Sequence, residues 1–142
     1  MRGYFGIGIE NPKKEMNIGT LWRSAYSLGA AFIFTIGHRY ERQASDTTKS
    51  WRHIPLIEYA DAQDFIDHIP YACIPVGIEV NGTPINYFEK HPERAVYILG
   101  PEDDSISKKL QEHCVEILSI ESKYCLNVAV AGSIVMYDRA SK

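Results

Sequence analysis

The feature that most constrains this chain is its end. Within Tyr124-Cys-Leu-Asn-Val-Ala-Val-Ala-Gly-Ser-Ile-Val-Met-Tyr-Asp-Arg139, the run from Leu126 to Tyr137 is almost unbroken in apolar and small residues. A helix that is apolar all round leaves no side for water and has to be packed on several faces. Chain ends ordinarily fray in solvent, so this one is expected to be held inside its own domain, inside a subunit interface, or both. Ala129, Gly132 and Ser133 are small enough to let another backbone approach closely. Asn127, the one strongly polar group near the start, reads either as a local helix cap or as a group pointing into a ligand site beside free helix N–H groups. Spacing leaves both readings open.

A chain of 142 residues suits a single domain with a sizeable core. Its run of apolar residues falls short of the roughly 18 to 20 that span a bilayer, and its N-terminus lacks the apolar core and cleavage site of a signal peptide. The expectation is a cytoplasmic, membrane-free protein. Cys73, Cys114 and Cys125 are odd in number and far apart, with no C-x-x-C pair, which predicts reduced, mostly buried thiols and no metal site. A net charge of −3 does not announce a nucleic-acid binder, so RNA or DNA contact would need a local basic patch.

Taken in order, Gly3–Glu10 reads as a buried strand ending at Asn11-Pro12. Its glycines lie within the strand rather than in a turn that opens a helix, which argues against a dinucleotide fingerprint. Ile18, Leu21, Trp22, Ala25 and Leu28 then repeat at helical spacing over Asn17–Gly29, with Gly29 as the stop. The opposite face carries Thr20, Arg23, Ser24 and Ser27. Arg23 therefore sits in a stripe of small hydroxyls, either merely solvated or contacting an anion beside a helix start formed by Asn17 and Gly19.

Ala31–Ile36 is a second buried strand. The long polar segment after it, His38–His53, carries Arg39, Arg42, Lys49 and Arg52 among aromatics, a composition suited to phosphate and base contact and equally to a solvated loop. Asp61–His68 reads as a short helix. Tyr71–Glu79 reads as a strand whose Pro75 argues for an edge or an irregularity, and Asn81-Gly82 as a turn. Ala95–Leu99 is a strand running into Gly100-Pro-Glu-Asp-Asp-Ser105, followed by a helix over Ile106–His113 and a last strand over Val115–Ile120. This alternation predicts an α/β domain with a largely parallel sheet covered on both faces. Ligands of such sheets bind outside the strand C-termini, which nominates Gly77–Glu79, Leu99–Glu102 and Ile120–Asn127.

Three separated stretches line up with one family. Asn17-x-Gly19-x-x-x-Arg23, Ile98-Leu-Gly-Pro-Glu102, and Ile120 through Cys125-Leu-Asn-Val-Ala-Val-Ala131 resemble the three motifs of the SpoU/TrmH class of SPOUT RNA methyltransferases. The resemblance spans nearly the whole chain. It implies a dimeric α/β domain whose C-terminal part is threaded into a trefoil knot, an exception to the rule against knots. It further implies S-adenosylmethionine as cofactor, and methylation of a ribose 2′-hydroxyl in tRNA or rRNA.

By the same resemblance Leu99 and Gly100 lie against the cofactor, Ile120 and Leu126 supply backbone contacts, and Ile78 lines the pocket. Glu102, Cys125 and Asn127 complete that set, and Arg23 with Asn17 beside it forms the catalytic pair. Arg39, Arg42, Lys49 and Arg52 would hold the RNA. The family's second motif commonly continues Glu-x-x-Gly, where this chain has Asp103-Asp104-Ser105, and Cys125 stands where the third motif commonly has Ser. The first departure and the acidic balance of the chain motivate an alternative: a non-catalytic dimeric RNA-binding protein that keeps the fold. No appended RNA-binding domain is expected within residues 1–142.

Overall fold

Side chains alternate across a strand, and the first strand divides its residues sharply. Phe5, Ile7 and Ile9 enter one buried cluster, whereas Gly6 and Gly8 turn to the other face. Bare glycine is needed there: a methyl group added at Gly6 or Gly8 would come 2.3 Å from the ring of Phe32 or Phe34 on the neighbouring strand. The computed structural model describes residues 3–38 and 53–142. Its elements are β1 (Tyr4–Glu10), α1 (Glu15–Ser27), β2 (Phe32–Ile36), β3 (Leu56–Tyr59), α2 (Ala62–Asp67), β4 (Ile74–Pro84), β5 (Arg94–Leu99), α3 (Lys108–His113), β6 (Glu116–Ser119) and α4 (Val128–Ser141).

The strands form one six-stranded sheet in the order β3-β2-β1-β5-β4-β6, and every pairing among the described residues is parallel. On one face α1 and α4 pack Ile18, Leu21, Trp22 and Ala25, and Ala129, Val135 and Met136, against Ile7, Val76, Tyr97 and Leu118. The other face buries Phe65 of α2 and Leu110 of α3 against Phe34, Tyr59 and Ile98. Each large apolar side chain buried in this way contributes roughly 1.5–3 kcal/mol. The sheet is thus covered on both sides, as the short apolar strands predict.

Several expectations are corrected. α1 begins at Glu15, so Asn17 lies inside its first turn instead of forming its start; the end is as expected, with Gly29 at φ +88. Strand β3 goes unread in the sequence because it is a half-exposed edge following a polar segment. Asn81-Gly82 is not a free turn: β4 runs through it, with a register shift against β6 between Ile78 and Thr83. A methyl group at Gly82 would sit 2.6 Å from the Ile117 carbonyl oxygen, so only glycine permits this crossing. Nor is β4 an edge, since β5 and β6 flank it. Pro75 stands where the ladder to β6 begins, its carbonyl accepting the Val115 N–H.

The terminal helix α4 is apolar but not covered all round. Val130, Ile134 and Tyr137, at i, i+4 and i+7, form an exposed stripe. Gly132 faces inward, where a methyl group would lie 2.6 Å from Leu21 Cδ1 and 3.0 Å from Leu99 Cδ1. Its small size therefore lets α4 approach α1 and the sheet rather than another subunit. The thiols also differ from expectation, with Cys73 buried, Cys114 half-buried and Cys125 exposed. Burial pushes the Cys114 thiol up to about 11.

The last turn of α4 is tied down by polar groups the sequence reading did not single out. The Arg139 guanidinium, 6% exposed, donates to the Pro92 and Glu93 carbonyls and to the Tyr97 hydroxyl, and lies over the Phe5 ring. Buried His91 bridges Tyr97 and Asp138, each at 2.7 Å. Lys142 pairs with Asp138 at 2.9 Å and donates to the carbonyls of Ile85 and Phe88. A buried cation is tolerated here because its donors are matched by acceptors.

Candidate functional site

A cleft opens at the carboxyl ends of β4, β5 and β6, where open parallel sheets place ligands. It encloses about 700 Å³ of free space, counting the part open to solvent. Its walls come from three chain stretches: Ile78, Glu79 and Val80; Leu99 through Glu102 with Asp104; and Ile120, Ser122, Cys125 and Leu126, closed by Val128 and Ala131 of α4. Seven of the eight residues expected to contact a cofactor therefore meet in one cleft, although they are spread over 49 positions from Ile78 to Leu126. The eighth, Asn127, does not line it.

Asn127 is instead the N-cap of α4, its Oδ1 accepting the Ala129 N–H at 2.9 Å and the Val130 N–H at 3.2 Å. Its amide donates to Asn17 Oδ1 at 2.9 Å, and Asn17 in turn donates to Glu102 Oε1 at 2.8 Å. Glu102 also accepts the backbone N–H groups of Lys13 and Lys14. The polar residues of three separate motifs thus form one continuous chain joining the start of α1, the loop after β5 and the start of α4. Burial alone would raise the Glu102 carboxyl, but the Asn17 amide and the Lys13 and Lys14 N–H groups outweigh that and hold it below the usual carboxylate range.

The loop after β5 is shaped without the glycine that the family's pattern has at position 105. Ser105 lies outside the left-handed region. Glu79 accepts the Ile106 N–H, and Glu10, 3% exposed at the end of β1, accepts the Ser107 N–H at 2.6 Å. Lys13 Nζ pairs with Asp103 at 2.7 Å. Two carboxylates from β1 and β4, the strands that flank β5, therefore fix this loop.

Arg23 is exposed on α1, and among the described residues its guanidinium has no partner. The structure does not bring it into the cleft lining, nor does it place Asn17 there. Arg39, Arg42, Lys49 and Arg52 lie outside the described residues. Lining residues that the sequence reading did not single out are Glu79, Val80, Pro101, Asp104, Ser122, Val128 and Ala131; the rule that ligands sit at strand C-termini nominates the stretches that hold Glu79, Pro101 and Ser122 without naming these three. Among the described residues, no group of three or more His, Cys, Asp or Glu side chains could hold a metal ion, and no helix is long and apolar enough to cross a membrane.

Comparison with known proteins follows the same lines. The structure of the SpoU methyltransferase AviRb from Streptomyces viridochromogenes in complex with AdoMet superposes with a TM-score of 0.87 at 21% identity, over 99% of this chain and 61% of that one. An AdoMet-bound rRNA methyltransferase from Sinorhizobium meliloti gives 0.87 at 20% identity, over 99% and 57%. A structure described as giving insight into 2-OH methylation of C/U34 on tRNA gives 0.81 at 19%, over 99% and 91%. At these identities the likeness shows the fold, and the chain spans about three fifths of the length of the first two. No curated protein sequence matches it. The SpoU rRNA Methylase family matches residues 5–137, a span that contains the parallel sheet, the cleft and all three linked motifs, and the chain belongs to that family.

Proposed function

We propose that this chain is an S-adenosylmethionine-dependent RNA methyltransferase that methylates a ribose 2′-hydroxyl of cytoplasmic tRNA or rRNA. The observation that carries the reading is the chain of bonds from Glu102 through Asn17 to Asn127, which fastens the helix bearing Arg23 to both walls of the cleft. The cleft's chemistry fits the cofactor: apolar walls from Ile78, Leu99, Ile120 and Leu126 suit a flat base, and carboxylates suit a ligand with cationic groups. When bound, S-adenosylmethionine supplies a methyl group already activated as a sulfonium. The chain's own task is then placement. Arg23 clamps a phosphate, orients the ribose and stabilises the developing alkoxide, and the proton leaves to a neighbouring group or water.

The same reading makes the protein a homodimer, with the Val130, Ile134 and Tyr137 stripe covered by a second copy. An isologous contact through one such face is the commonest route to a dimer. It also threads the terminal helix into a knot, to which the close β4–β6 crossing at Gly82 lends support. Within this chain, Arg39, Arg42, Lys49 and Arg52 hold the RNA.

The test is mass spectrometry of nucleosides from tRNA and rRNA of a deletion strain, before and after incubation with the purified protein and S-adenosylmethionine. A new 2′-O-methyl nucleoside at a defined position is expected. Methylation of a base, or cofactor binding without transfer to any RNA, would refute the reading, and the latter would favour a non-catalytic RNA-binding dimer.

A further inference from the structure

We infer that Glu79 and Asp104 make the cleft a charge filter, which takes a cationic sulfonium ligand in preference to the neutral thioether that remains once the methyl group is gone. The inference rests on the cofactor reading above and deepens it. Three carboxylates, Glu79, Glu102 and Asp104, line the cleft, and among the described residues no Lys, Arg or His lines it with them. The nearby Lys13 is already paired with Asp103.

The three carboxylates are not equivalent. Glu102 has both oxygens engaged by the Asn17 amide and the Lys13 and Lys14 N–H groups. Glu79 uses one oxygen for the Ile106 N–H, and Asp104 uses one for the Ser105 N–H at 2.7 Å. Among the described residues the second oxygen of each accepts no hydrogen bond. Two anionic groups with unused acceptor capacity therefore face an apolar cleft.

The methyl donor and the demethylated product differ in one methyl group and one positive charge at sulfur. Every neutral contact of the base, ribose and amino-acid portion is common to both, so a field set by carboxylates acts on the difference between them. For charges several ångströms apart in a half-open site, removing one carboxylate is expected to lower the donor-to-product affinity ratio roughly three- to tenfold, and salt should screen the effect. The consequence for turnover is release of product from a site that no longer holds its charge.

The experiment is calorimetric titration of the full-length protein with S-adenosylmethionine, S-adenosylhomocysteine, and the analogue in which a protonated amine on carbon replaces the sulfonium, each at low and high ionic strength. The wild type should bind both cationic ligands more tightly than the product, with a ratio that shrinks at high salt. Glu79→Gln and Asp104→Asn should each lower that ratio roughly three- to tenfold while changing product affinity less than about twofold. Glu89→Gln, exposed and outside the cleft lining, should leave the ratio unchanged. Ratios unchanged in both variants, or donor and product weakened equally in both, would overturn the inference while leaving the cofactor reading intact. Because the Asp104 carboxylate holds only its neighbour's N–H, its variant keeps the test clear of loop collapse. If the wild type binds none of the three ligands, the cofactor reading fails and this inference fails with it.

Discussion

Asn127 does two separable things, and replacing it by alanine and by serine measures each. Alanine removes the acceptor for the Ala129 and Val130 N–H groups together with the donor to Asn17. Loss of an N-cap costs about 1 kcal/mol, within a range of roughly 0.5–2. The Asn17 oxygen, on a residue 6% exposed, then loses its donor at a further cost of about 1–3 kcal/mol. Because Asn127 is itself exposed, water reaches that oxygen and the low end applies, giving about 2–3 kcal/mol in total. Serine keeps the cap and loses only the bond to Asn17, so about 1–1.5 kcal/mol is expected. Urea denaturation at one fixed protein concentration reads both values. In a double-mutant cycle, Asn17→Ala should cost about 1 kcal/mol less in the Asn127→Ala background than in the wild type. Serine and alanine variants agreeing within about 0.5 kcal/mol would refute the cap as a stabilising element, and an additive cycle would refute the link between Asn127 and Asn17.

Four further outcomes are expected. Arg23→Ala should abolish methyl transfer with cofactor affinity nearly unchanged, whereas replacing two of Arg39, Arg42, Lys49 and Arg52 should weaken RNA binding and lower its salt slope by roughly 0.7–0.9 for each phosphate that is no longer neutralised; filter binding across a salt series with single-turnover assays separates the two. Gly132→Leu should destabilise the chain by at least about 2 kcal/mol through overpacking against Leu21 and Leu99, seen as a lowered urea midpoint. Ile134→Asp places a charge in the exposed apolar stripe of α4 and should yield monomers by light scattering. Burial, outweighing the Asp138 hydrogen bond, holds folded His91 below its ordinary value of 6.5; with Tyr97, Asp138, Arg139 and Lys142 around it, the unfolded chain takes this proton first. Stability is therefore full above about pH 6.5 and is lost as pH falls toward the folded value. His91→Gln should flatten that slope in denaturation midpoints taken between pH 8 and 5.

What the sequence makes legible here are properties carried by neighbours in the chain. Ile18, Leu21, Trp22 and Ala25 identify the buried side of α1 by spacing, and the short apolar runs identify β1, β2 and β5 as strands buried on both faces. The direction of a helix that is apolar on every side is not legible, because periodicity has nothing to contrast. Gly132 consequently reads as a contact to another subunit although it faces Leu21. Partnerships across the chain are hidden for the same reason: Asn17 and Asn127 lie 110 positions apart, and His91 and Asp138 lie 47 apart. Glu79 and Asp104 look like ordinary solvated acids until the fold sets them in one cleft. The motif residues were found by their types and order, while their bonding to one another needed coordinates.

That bonding bears on how such chains drift over evolutionary time. Asn17, Glu102 and Asn127 hold one another, so selection for a folded protein alone is enough to retain all three, and a descendant that had stopped transferring methyl groups would still display them. Arg23 stands outside this arrangement, exposed and without a partner among the described residues. Folding places no comparable demand on it. On the role proposed for Arg23, the side chain at position 23 is therefore the one whose loss among relatives of this chain would mark the end of methyl transfer, while the asparagines and the glutamate would persist.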